Sequence, residues 1–92
     1  MTQQTTTQVE WTRVNSDQYG NPRYVVHFTD YERLAGLDPD YSKDLSTRYA
    51  NTVKHAHKLN GRKFHNKQYG GGILFCTYEP LDVEKSIIEH AN

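Results

Sequence analysis

Leu45, Tyr49, Thr52, Val53, Ala56 and Leu59 recur at helical spacing, and this stripe is the clearest periodic element in the chain. Residues three and four apart share a helix face, so these six predict an amphipathic helix that buries one side. Thr47, Arg48, Asn51, Lys54, His55 and Lys58 fall on the opposite side, which is polar and mostly cationic. Asn60-Gly61 supplies a stop, because both residues tolerate the left-handed conformation that ends helices. Two starts fit: Asp38 as cap with Pro39 in the first turn, or Ser42 as cap.

The segments around this helix read as strands. Val9–Val14 and Arg23–Phe28 are rich in β-branched and aromatic residues, and Asn15–Pro22 between them is nearly all turn formers. Thr29–Gly36 predicts a short helical turn stopped by its glycine. Gly61–His65 predicts a short basic strand, Asn66–Gly72 a loop, and Ile73–Tyr78 an apolar central strand. Glu79-Pro80-Leu81-Asp82 opens a last helix with Val83, Ile87 and Ile88 inward. The order ββαββα implies an α+β fold: two hairpins forming a small antiparallel sheet, with helices packed on one face.

Ninety-two residues suffice for one domain with a small core. Residues 1–8 read as a flexible N-terminal tail and 9–92 as the domain. Only 35% of residues are hydrophobic, so seven Tyr, three Phe and one Trp must supply much of the apolar area, in the core or on an interaction surface. No apolar run is long enough to span a bilayer, and Met1–Gln8 lacks the basic-then-apolar order of a secretory signal. The single Cys76 cannot form an internal disulfide, which fits a reducing cytoplasm.

Net charge is zero but unevenly placed. Lys43–Lys67 holds seven basic residues and one acidic, a net +6, while Thr29–Ser42 and Gln68–Asn92 each carry −3. Such a polarised field suits oriented docking to a charged partner. It also fits self-neutralisation, with the acidic segments folded beside the basic helix.

No catalytic or metal-ligating pattern emerges. His27, His55, His57, His65 and His90 lack zinc-ligand spacing, and His55 and His57 diverge by about 160° on a helix. Gly70-Gly71-Gly72 precedes a strand rather than a helix, so a phosphate-cradling loop is not expected. Cys76 lies in the most apolar strand, where burial should leave it inert. The expectation is a non-enzymatic protein with no metal, cofactor or small-molecule substrate.

Arg48, Lys54, Lys58, Arg62, Lys63, His65, Lys67 and Tyr69 are the candidate partner-binding residues, spread over the helix, a strand and a loop that adjoin in sequence. Cations beside tyrosine can hold phosphates and stack on bases. The same residues also fit a solvated helix face followed by an edge strand guarded by positive charge.

Two stretches carry a resemblance: Tyr19–Phe28, and Gly61-Arg62-Lys63-Phe64-His65 through Gly70-Gly71-Gly72-Ile73. They resemble small proteins of bacteriophages and plasmids, and in size and style are similar to the inhibitors of type I-F CRISPR–Cas surveillance complexes, the anti-CRISPRs. The resemblance implies steric inhibition in the host cytoplasm: binding a Cas protein–crRNA complex, with contact to guide RNA or DNA phosphates, and blocking recognition of target DNA. It assigns no individual residue. The alternative is a small nucleic-acid-binding regulatory protein acting through the same basic patch.

Overall fold

A computed structural model describes residues 6–14, 18–68, 70–76 and 79–91. Four strands and three helices are built from them: β1 (Trp11–Val14), β2 (Arg23–His27), α1 (Phe28–Ala35), α2 (Leu45–Ala56), β3 (Arg62–Asn66), β4 (Gly70–Cys76) and α3 (Pro80–Ala91). A 3-10 turn, His57–Leu59, extends α2. The strands form one sheet in the order β1-β2-β4-β3, with every neighbouring pair antiparallel. The architecture is the expected α+β one, with the two hairpins joined through the β2–β4 pairing.

Strand alternation puts Val26, Ile73 and Phe75 on one face of the sheet. There they meet Tyr31, Leu34 and Ala35 of α1, Ala56 of α2 and Ile87 of α3 in a single core cluster. Aromatics supply much of it, as the composition requires: Tyr31 stacks on Phe75 with ring centres 6.3 Å apart, and Trp11 tilts against Phe75 at 5.9 Å.

Several boundaries differ from expectation, each for a local reason. Phe28 is not the last strand residue but opens α1, because the His27 ring accepts the Thr29 N–H and caps the helix. α2 starts at neither Asp38 nor Ser42. The Asp40 carboxylate instead accepts the Ser42 N–H and hydroxyl, and the Lys43 N–H reaches the Asp40 carbonyl, closing a turn. Asp44 is the real cap, taking the Thr47 N–H at 2.7 Å. Those hydrogen bonds hold both Asp40 and Asp44 below the usual carboxylate range.

The inward face of α2 is also rotated. Leu45 is exposed, Tyr49 and Val53 are half-buried, and Thr52 and Ala56 are buried. The rotation turns Arg48 and His55, read as outward, partly inward. Asn60 ends the segment at φ 63° with its N–H on the His57 carbonyl, as the Asn-Gly stop predicts.

Gly70-Gly71-Gly72 is strand, not loop: the three pair with Asn66, His65 and Phe64. A Cβ at Gly71 would lie 3.3 Å from the Tyr49 ring, so the missing side chain makes room for that ring on the sheet. Gly61 is tighter, since a Cβ there would meet Ile73 Cγ2 at 2.7 Å and Ala56 Cβ at 2.9 Å. Cys76, expected to be buried, is exposed at the end of β4.

At the N-terminus, Gln8, read as the end of the tail, is held in place. Glu84 of α3 is buried, and its carboxylate accepts N–H bonds from Gln8, Val9 and the Trp11 indole at 2.8–3.2 Å. The rest of the tail as far as residue 5, the turn residues 15–17, and the strand end at Thr77 and Tyr78 lie outside the described residues.

Candidate functional site

β3 is an edge strand, and its backbone geometry follows from Tyr49. The Tyr49 hydroxyl lies 2.6 Å from the Phe64 carbonyl, 3.0 Å from the Gly72 carbonyl and 3.2 Å from the Phe64 nitrogen. It can touch both carbonyls only if Phe64 and Gly72, which are register partners, face each other across the ladder. In an antiparallel pair the hydrogen-bonded rungs alternate. Phe64 therefore bonds inward to β4, and the backbone groups of Lys63 and His65 point away from the sheet.

The side chains along this edge are basic. Arg62, Lys63, His65 and Lys67 are all exposed, as are Lys54 on α2 and Lys58 on the 3-10 turn that leads into the strand. Alternation sends Lys63 and His65 to the helix-covered side of the sheet and Arg62 to the other. Among the described residues, none of Lys54, Lys58, Arg62, Lys63 and Lys67 takes part in an ion pair. Tyr69, the aromatic member of the predicted patch, lies outside the described residues.

Arg48 stands apart from this group. Its guanidinium bonds the Glu32 carboxylate at 2.8 Å, with 11% and 8% of the two side chains exposed. The same group lies 5.0 Å from the Tyr41 ring centre and 6.0 Å from that of Phe28. Here an acidic segment does neutralise the basic helix, but at one residue. The other described ion pair, Arg33–Asp30 at 3.8 Å, joins residues within α1.

A second polar cluster links all three helices. The Tyr31 hydroxyl is 2.9 Å from His55 Nδ1, and the His55 and His90 rings are 5.6 Å apart. Burial raises the Tyr31 pKa to about 12, so the phenol keeps its proton and is free to donate it. His55 is pushed below the usual histidine range, first by burial and then by His90 and Lys58. No group of three or more His, Cys, Asp or Glu side chains with metal-site geometry occurs among the described residues.

Sequence reasoning missed this cluster and the Glu84 clamp. The clamp had a signal: Glu84 sits three residues before Ile87 on the inward phase of α3, and the Trp11 indole needed an acceptor. The partnership of Tyr31 with His55, 24 positions apart, had none.

Neither a curated protein nor a solved structure matches the chain. A family model does, over residues 1–92, and the chain belongs to that family, described as Staphylococcus phage terminal repeat-encoded protein TreK.

Proposed function

We propose that this phage protein is a non-enzymatic inhibitor that docks through its basic edge on a multi-subunit complex of the host bacterium. In its finer form, which rests on the resemblance of Tyr19–Phe28 and Gly61–Ile73, the partner is a type I-F Cas–crRNA surveillance complex in the host cytoplasm. The inhibitor then stops that complex from recognising target DNA. The mechanism is steric and calls on no metal, cofactor or small-molecule substrate.

One observation carries the reading: Lys58, Arg62, Lys63 and Lys67 lie exposed on β3 or next to it in the chain, and none has a carboxylate partner among the described residues. Desolvating and pairing such charges against acidic groups gives orientation and fast association. The buried charges fit the same division. Glu84 and the Glu32–Arg48 pair have partners within the fold. The hollow of about 290 Å³ beside Arg48 is lined by that pair together with residues such as Asp38, Asp40, Lys43 and His55.

The test uses the assembled complex, its labelled target DNA, and free DNA and RNA. The protein should block target capture while binding free nucleic acid weakly. Replacing Lys58, Arg62, Lys63 and Lys67 together by Glu should abolish the block. Tight binding to free nucleic acid, weakening steeply with salt, would instead identify a nucleic-acid-binding regulator. Undiminished inhibition by the quadruple variant would refute docking through the edge.

A further inference from the structure

The outward backbone of β3 adds a second kind of recognition to its charge. Lys63 and His65 direct their N–H and C=O groups away from β4, and among the described residues no strand lies beyond β3 in the sheet. Such an edge is a template for one more strand, with main-chain bonds supplying affinity and alternate side chains supplying selection.

We infer that the partner supplies an extended acidic segment that adds to β3 as a fifth, antiparallel strand. This rests on the reading that the basic edge is the docking surface, and it specifies how docking occurs. In an antiparallel addition, the residue opposite Lys63 exchanges both backbone hydrogen bonds with it. Its side chain falls on the same face, with Cβ atoms about 4.5–5.5 Å apart. The residue opposite His65 does the same, two positions along the incoming strand. The edge therefore selects Asp or Glu at positions i and i+2, and their own N–H groups donate to the Lys63 and His65 carbonyls. Arg62 and Lys67 extend the cationic field at either end. A second copy of this chain fits poorly, because two antiparallel β3 edges would place lysine against lysine or against His65.

The probe is a peptide of about eight residues, long enough to cover a strand of ordinary length, with Glu and Thr alternating. Three forms are compared: unmodified, N-methylated at every Glu, and N-methylated at every Thr. The unmodified peptide should shift the Lys63 and His65 amide resonances of the intact protein and protect them from hydrogen exchange. Methylating the Glu nitrogens removes the donors that face β3 and should weaken binding by at least about tenfold. Methylating the Thr nitrogens should change it by less than about twofold, because those groups face solvent.

On the protein side, His65→Pro removes the outward N–H where an edge strand tolerates proline. It should weaken binding several-fold more than His65→Ala, which loses the same ring. Equal binding of the two methylated peptides overturns strand addition, and so does a peptide that never moves the Lys63 and His65 amides. If strand addition fails while the quadruple Glu variant still loses capture of the Cas–crRNA complex, the docking edge stands without it. If the quadruple variant captures normally, both readings fall.

Discussion

The N-terminal clamp and the β3 edge treat charge in opposite ways. Glu84 is a fully buried carboxylate with no cation paired to it among the described residues, satisfied by two backbone N–H groups and an indole. The cations on and beside β3 are exposed and have no carboxylate partner among the described residues. A buried charge is costly unless it is hydrogen-bonded, so the clamp belongs to the fold. An exposed charge costs the fold little and is available to a partner. Arg48 shows why sequence position alone does not separate the classes: it lies in the same basic run as Lys54 and Lys58 but is held by Glu32.

The sharpest way to break this contrast is at its buried end. Glu84→Ala should destabilise by about 3 kcal/mol or more, since it strands the buried Val9 donor and the part-buried donors of Gln8 and Trp11 and leaves a gap where a fully buried side chain stood. Urea unfolding followed by Trp11 fluorescence reads it. A loss under about 1 kcal/mol would place the clamp with the solvated charges.

Arg48→Ala comes next. Removing one partner of a nearly buried pair leaves Glu32 uncompensated and should cost about 3 kcal/mol. If stability is unchanged while partner binding falls, Arg48 belongs to the docking surface after all.

The histidine cluster gives a smaller, pH-dependent effect. His55 is held below its ordinary pKa, so the folded state favours its neutral form. That contribution is complete above the unfolded-state value of about 6.5 and is lost as pH falls through it towards the folded value. His55→Gln keeps an acceptor for Tyr31 and cannot titrate. Unfolding curves between about pH 7 and 5 should show a shallower loss of stability in the variant. Identical slopes would mean that His55 does not sense protons across this window.

How much was legible in the sequence depended on the range of the forces involved. The turn-rich break before Arg23 and the Asn60-Gly61 stop are local signals, and both mark real boundaries, whereas the apolar run at Ile73 marks the middle of β4 and not its start. The start of α2 was mislocated because Asp38, Asp40, Ser42 and Asp44 are all competent caps. Only the turn closed by Asp40 decides between them. Gly70–Gly72 read as loop because glycine weakens strands in isolation. In the fold the Tyr49 ring lies over Gly71 and its hydroxyl meets the Phe64–Gly72 rung, a contact spanning 23 residues. The basic residues were visible from composition, but their shared edge needed the strand order, and the internal pairing of Arg48 needed the helix phase.

The most direct measurement combines stability and capture in one preparation. The variant with Glu at positions 58, 62, 63 and 67 is unfolded in urea and tested for binding to the assembled Cas–crRNA complex beside the wild type. The expected result is a stability change below about 0.5 kcal/mol per site together with loss of binding. A variant that binds as wild type does, or one that unfolds as readily as Glu84→Ala, would contradict the claim that the edge charges serve a partner and not the fold.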